Sequence, residues 1–271
     1  MYTYEDLIKA QKNIIKFKNK LGPEMSEREI SWKLFEMSTG IPIPVDLVEW
    51  AKSTCFYRAR ILNSTSLKVL KKWTKNDFWG VPKKLVSSYG RLNRPHESIF
   101  YLSNNLYQTL KEVRYKSNKS KIVVISCYET KKRFKSVTIG QNFTKDESYL
   151  GTIQNMYIDF FRDQFSKPVG KGTEYLYKLS NAIIKDFFDL PFEVSNAWTY
   201  PAVENKESLN VAFKSEYASE FLKYNGSIVI NGEKNGGFKI PVCFNSNYQL
   251  CLPTPIWVEK IFKLVYKPNL E

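Results

Sequence analysis

Strand-like and helix-like runs alternate irregularly along this chain, and that pattern narrows the fold more than any other feature. Beyond residue 54 the β-rich runs are Cys55 to Leu62, Ser98 to Leu102, Lys121 to Tyr128 and Phe134 to Ile139. Two helical stretches follow, about 147 to 165 and 173 to 188. Trp198 to Val203, Leu209 to Phe213 and Ser227 to Ile230 then read as later strands. A doubly wound parallel sheet needs strict strand–helix alternation, so the pattern predicts an α+β fold with a mixed sheet and flanking helices. At 271 residues, and with about 150 per domain, the chain has room for one large domain and an accessory segment.

The first 50 residues read differently from the rest. Leu7, Ile8, Ile14, Ile15, Phe17 and Leu21 fall at roughly helical spacing, and Gly22-Pro23 stops the run. Ser26-Glu27-Arg28-Glu29 has the form of a capping box. It opens a second helix with Ile30, Leu34 and Phe35 on its apolar face, ending near Gly40 before Pro42 and Pro44. Residues 1–50 are therefore expected as a helical N-terminal extension and 51–271 as the main domain. The extension reads most simply as packing; a partner-docking arm is the sharper alternative.

Charge and composition exclude several classes. Lys plus Arg total 41 against 27 Asp plus Glu, a formal charge of +14, which points to an anionic partner. The stretch from Lys111 to Lys135 holds nine Lys or Arg and two Glu. It reads as a helix and a solvated hairpin, or as an electrostatic funnel for phosphates. No nucleic-acid-binding motif accompanies it, so direct nucleic-acid binding is not expected. A non-enzymatic basic protein that binds nucleic acid stays as the alternative function. Four scattered cysteines and the single His96 leave little for a zinc site or a His-dependent nucleophile. No metal is expected. No Rossmann G-x-G-x-x-G or Walker phosphate loop occurs. The opening MYTYEDLIKA lacks a signal-peptide pattern, and the longest apolar run is far short of the ~20 residues that span a bilayer. The expectation is a cytoplasmic protein in a reducing compartment, with no membrane partner.

One constellation carries chemistry. Gly90-Arg91-Leu92-Asn93 precedes a strand holding Tyr101, and Glu112 sits in the next helix. Folded back together, these groups suit a dinucleotide with a cationic nicotinamide. An Arg fork binds pyrophosphate, a Tyr ring stacks on the base, and a carboxylate stabilises an oxocarbenium-like ribose. Each residue also has a plain reading. Glu112 can pair with Lys116 at i+4, Tyr101 can be a core aromatic, and Arg91 a surface loop charge.

The chain resembles the RES-domain family. The resemblance rests on Phe56-Tyr57-Arg58, Gly90-Arg91-Leu92-Asn93 and Ile99-Phe100-Tyr101-Leu102. It continues in Gln108-Thr109-Leu110-Lys111-Glu112-Val113, Trp198-Thr199-Tyr200-Pro201-Ala202-Val203 and Leu209-Asn210-Val211-Ala212-Phe213. It covers about residues 54 to 215. Family members are NAD-targeting toxins of bacterial toxin–antitoxin pairs, with a fold like that of ADP-ribosyltransferase toxins. The resemblance implies Arg91, Tyr101 and Glu112 as catalytic residues. It implies Tyr57, Arg58, Asn93, Tyr200, Ser208 and Asn210 as substrate-binding. It further implies NAD as substrate with no separate cofactor, growth arrest by NAD depletion or target modification, and a cognate antitoxin protein. The ADP-ribose acceptor stays open among water, phosphate and a protein side chain.

One departure stands out. The family usually carries Ser after Tyr-Pro, where this chain has Ala202. A lost hydroxyl contact costs about 1 kcal/mol, and Ser208 is the nearest candidate to replace it. A catalytically attenuated binding module is the corresponding alternative. The segment 64 to 85 looks like an insertion, either a lid or a packed excursion. Core packing is the expectation for its Trp73, Phe78 and Trp79.

Overall fold

A computed structural model describes residues 1–64, 66–115, 121–141, 146–170, 172–202, 208–232 and 238–264. Strands and helices mix irregularly along them, as an α+β chain requires. Two compact units result. The first gathers Met1–Glu49, Pro82–Ile99 and Lys135–Glu207, and the second Trp50–Val81, Phe100–Phe134 and Ser208–Glu271. The first 49 residues thus share a unit with two later segments. Val203, expected at the end of a strand, and Lys116, expected beside Glu112, lie outside the described residues.

In the first unit α1 (Tyr4–Lys20) and α2 (Glu27–Ser38) both open on capping boxes. At α2 the Ser26 amide donates to the Glu29 carboxylate at 2.8 Å, and the Glu29 amide donates back to the Ser26 hydroxyl at 3.2 Å. The reciprocal bonds satisfy two of the amides that any helix start leaves unpaired. Ala10, Ile14 and Phe17 are buried on α1, and Ile30, Leu34 and Met37 on α2. Both sets follow the i, i+3/i+4, i+7 stripe. Ile15 and Phe35, expected on the apolar faces, lie one position off those stripes and are exposed. α1 packs on α5 (Tyr149–Ser166) and α2 on α6 (Leu176–Ile183). The Tyr157 hydroxyl donates to the Met37 carbonyl at 2.6 Å. Strands β1 (Leu47–Trp50), β5 (Phe134–Thr138) and β6 (Ala197–Pro201) lie in that order. β5 runs parallel to β6, with Ser136 opposite Ala197.

The second unit is built on seven strands, in the order β7 (Leu209–Lys214), β3 (Ile99–Ser103), β2 (Cys55–Ile61), β4 (Ile122–Thr130), β8 (Leu222–Gly232), β9 (Phe238–Phe244) and β10 (Leu250–Cys251). β4 lies between β2 and β8, antiparallel to both. This corrects the expected solvated hairpin over 111–135. β4 is buried along almost its whole length, and β5 pairs with β6 instead. Ile122 to Ile125 are apolar on both pleat faces, as a central strand demands.

Strand alternation sorts the second unit's sheet into two faces. Tyr57, Val123, Ile125, Cys127, Ile228 and Ile230 point one way. They form a single core with Leu106 and Leu110 of α4 (Leu106–Glu112) and Val258 and Phe262 of α8 (Pro255–Phe262). Phe56, Arg58, Arg60 and Tyr128 point the other way, the last three beneath the 66–81 segment. That segment forms a 3-10 turn at Leu67–Lys72 and the one-turn helix α3 (Lys75–Phe78). Trp73, Phe78 and Trp79 pack as expected: Phe78 is 1% exposed, and its ring meets Trp73, Tyr224, Phe244 and Tyr248 at centroid distances of 4.9 to 5.5 Å. The sequence reading did not anticipate β9, β10, α7 (Ser215–Phe221) or α8.

β8 bulges where Cys127 faces Gly226 and Tyr128 faces Tyr224. Gly226 has φ +140, and a Cβ there would stand 2.5 Å from Trp257 Cζ2 and 2.8 Å from the Phe244 carbonyl oxygen. Strained backbone and a clash against backbone act together. Gly226→Ala should therefore lower the unfolding free energy by about 1–3 kcal/mol, read from urea denaturation. A change of a few tenths would mean that the bulge relaxes freely.

Candidate functional site

Glu112 closes α4. The helix starts at Asn105, whose side-chain oxygen accepts from the Gln108 amide at 3.2 Å. The Ser103 hydroxyl accepts from the Asn105 amide just ahead of the helix. Gln108 and Glu112 stand four apart on one face, and Gln108 Nε2 donates to Glu112 Oε1 at 3.2 Å. Asn210 Nδ2 of β7 donates to the same oxygen at 3.1 Å. Both amides are buried, while the carboxylate is exposed. A carboxylate at a helix C terminus meets the negative end of the dipole, and two fixed N–H donors offset that. The result is an oriented anion facing solvent. One of the two donors, Asn210, lies 98 residues from Glu112 along the chain.

Tyr101 and Tyr57 share the sheet face covered by α4. Tyr57 pairs with Ser103 in the ladder, so Ser103 and, two residues back, Tyr101 lie on the Tyr57 side. Tyr101 is half-buried. Tyr57 is buried against Phe262, and burial drives its hydroxyl well above the usual range. Arg58 is not brought to Glu112: it projects from the opposite face. Its guanidinium lies 5.1 Å from the Phe100 ring centre and donates to the Trp79 carbonyl at 3.0 Å. Arg60 donates to the Asp77 carbonyl and, at 3.0 Å, to that of Trp79. The Tyr128 hydroxyl donates to the Phe78 carbonyl. Three polar side chains thus hold three successive carbonyls at the end of α3, where cations suit the dipole. Burial, then the neighbouring Arg60 charge, lowers Arg58 to about 10, and burial pushes Tyr128 up to about 12.

Arg91 and Asn93 lie in the first unit. Arg91 donates to the Phe165 carbonyl, to Gln164 at 3.4 Å and to Lys167 at 3.1 Å. Its guanidinium caps the C terminus of α5 and lies 5.9 Å from the Tyr177 ring centre. The loop itself is tied down by Ser180, whose hydroxyl donates to the Arg91 carbonyl at 2.7 Å. Asn93 is buried and donates to the Ser88 and Arg94 carbonyls, both at 3.2 Å. Tyr200, also in this unit, is buried on β6 with its ring 5.9 Å from Phe165. Ser208 is buried in the second unit, ahead of β7. Ala202 is fully buried.

Of the sequence-predicted residues, then, Glu112 and Asn210 are in direct contact, with Tyr101 and Tyr57 on the face that α4 covers. Gln108 is the member the sequence reading left out. Its signal was the i, i+4 spacing to Glu112. Among the described residues, no group of three or more His, Cys, Asp or Glu is placed to hold a metal ion. None of the described helices is long and apolar enough to cross a membrane. No protein-family model matches the chain, and no curated protein matches it.

Proposed function

We propose that this chain is a RES-type enzyme that cleaves the nicotinamide N-glycosidic bond of NAD. The observation that carries the reading is the Glu112 carboxylate held by Gln108 and Asn210. All three belong to the motifs by which the sequence resembles that family, and Asn210 lies far from the other two along the chain. An exposed carboxylate fixed by buried amides is suited to stabilising positive charge on a ribose. In the reaction the bond from the ribose anomeric carbon to the ring nitrogen breaks, and its electron pair leaves with neutral nicotinamide. The oxygen of water, phosphate or a protein side chain then bonds to that carbon and gives up its proton. NAD is the substrate, and no separate cofactor takes part. Tyr101 flanks the base. The resemblance gives Arg91 the pyrophosphate, and its place on the α5 carbonyls makes Glu112 the firmer test.

In a cell this activity depletes NAD and arrests growth, and a cognate antitoxin protein holds it in check. The +14 charge suits an acidic antitoxin. The deciding experiment incubates the purified chain with NAD and separates the products by chromatography. Nicotinamide release, with free or phosphorylated ADP-ribose beside it, is the expected result. No release, even with phosphate and cell-lysate protein supplied as acceptors, overturns the proposal.

A further inference from the structure

All four cysteines belong to the second unit, and all carry free thiols. Cys243 and Cys251 sit directly opposite each other on β9 and β10. Their sulfurs are 3.2 Å apart, and Cys243 Sγ lies 3.5 Å from the Cys251 carbonyl oxygen. Facing residues of an antiparallel pair have Cα atoms about 4.5–5.5 Å apart, within the roughly 4.4–6.8 Å that a disulfide spans. Closing the bond therefore needs side-chain rotation and no change of register. Cys55 and Cys127 also neighbour each other, but diagonally: Cys55 faces Glu129, and Cys127 faces Tyr57. Their thiols are hydrogen-bonded to each other, but diagonal Cα atoms stand about 7–8 Å apart, beyond ordinary disulfide reach.

We propose that Cys243 and Cys251 form a reversible disulfide by exchange with a small-molecule disulfide of the glutathione type. Access sets the order of events. Cys251 is half-exposed on the terminal strand, whereas Cys243 is buried, with its thiol pushed well up by that burial. Cys251 gives its proton to solvent and attacks one sulfur of the oxidant. The oxidant's sulfur–sulfur bond breaks, and one half leaves as a thiolate. Cys243 then loses its proton and attacks Cys251 Sγ, expelling the second half. Two protein thiols are oxidised, and one small disulfide is reduced to two thiols.

The bond would close the foot of a hairpin whose turn carries Tyr248. That ring stacks on Tyr224 at 4.6 Å, and its hydroxyl accepts from Trp79 Nε1 at 3.1 Å. The Trp79 carbonyl in turn holds Arg58 and Arg60. Oxidation at β9 and β10 thus stiffens the support of the 77–79 segment. This inference does not depend on the NAD reading.

The test equilibrates the full chain in buffers of oxidised and reduced glutathione, traps free thiols by alkylation, and maps the linked peptides. A Cys55→Ser variant runs in parallel to keep the other thiol pair out of the reading. The wild type should yield a Cys243–Cys251 link that reduced glutathione reopens. Cys243→Ser should accumulate glutathione on Cys251, and Cys251→Ser should leave Cys243 unmodified. Amide exchange over β9 and β10 should slow about tenfold on oxidation, as closing a local opening would do. Glutathione that stays on Cys251 in the wild type overturns the proposal. So do dimers linked through Cys251, and so does a link that forms equally well in urea.

Discussion

Glu112→Ala is expected to slow nicotinamide release from NAD by about 10²–10³-fold, the cost of removing one fixed electrostatic partner of a transition state. The protein should still unfold cooperatively, with stability lower by about 1–3 kcal/mol because the buried Gln108 and Asn210 amides lose their acceptor. Glu112→Gln separates charge from shape. It retains an oxygen that can accept from Gln108 and Asn210 but carries no negative charge. The same loss in both variants ties the rate to the charge. Full activity in Glu112→Gln rules out electrostatic stabilisation by this residue. Asn210→Ala should give a smaller loss of rate, together with a loss of stability, since it empties a buried position beside the carboxylate.

Phe78→Ala should lower stability by about 3–5 kcal/mol, the usual cost of truncating a buried Phe. Four rings surround Phe78, so the gap cannot close by one side chain swinging in. Whole domains are stable by only about 5–15 kcal/mol, so the variant should unfold at much lower urea. Near-ultraviolet dichroism should weaken as the aromatic cluster loosens. The Phe78 carbonyl is the acceptor for Tyr128, and its neighbours' carbonyls hold Arg58 and Arg60. A loosened segment leaves those buried donors searching for partners, which adds to the cost. A loss under about 1 kcal/mol would mean that the 66–81 segment lies on the sheet without being part of its core.

What the sequence made legible was local. The capping box at Ser26 and the runs from Cys55 to Leu62 and from Lys121 to Tyr128 depend on neighbours within a few residues, and the structure keeps them with ends shifted by one or two residues. The misses are long-range. Ile122–Thr130 looked like half of a hairpin because Phe134–Thr138 follows at turn distance, yet its partners come from residues 55–61 and 222–232. Arg91 reads as a phosphate ligand from its motif and its fork chemistry; that it also holds carbonyls 73 to 76 residues further on is beyond what local sequence shows. Arg58 and Arg60 share one face of β2, as a spacing of two implies. That their face is the one turned from Glu112 depends on which helices cover which side. At the site, Glu112 and Asn210 were legible through motif resemblance. Gln108 stands in the same motif as Glu112, and its pairing with Glu112 follows from the i, i+4 helix spacing.

The discontinuous units have a consequence for how the chain is made. The ribosome delivers β2 and β4 early, and those two can pair as soon as Thr130 emerges. The far edge of β4 then waits for β8: Ser126 meets Ser227 only 101 residues later. Until that point a long apolar strand exposes an unpaired row of amides and carbonyls, an invitation to wrong pairing between nascent chains. Supplying β8 late makes the yield of this protein sensitive to translation speed and to chaperones that shield strand edges. A fragment ending before β8 should precipitate even though most of its residues are present.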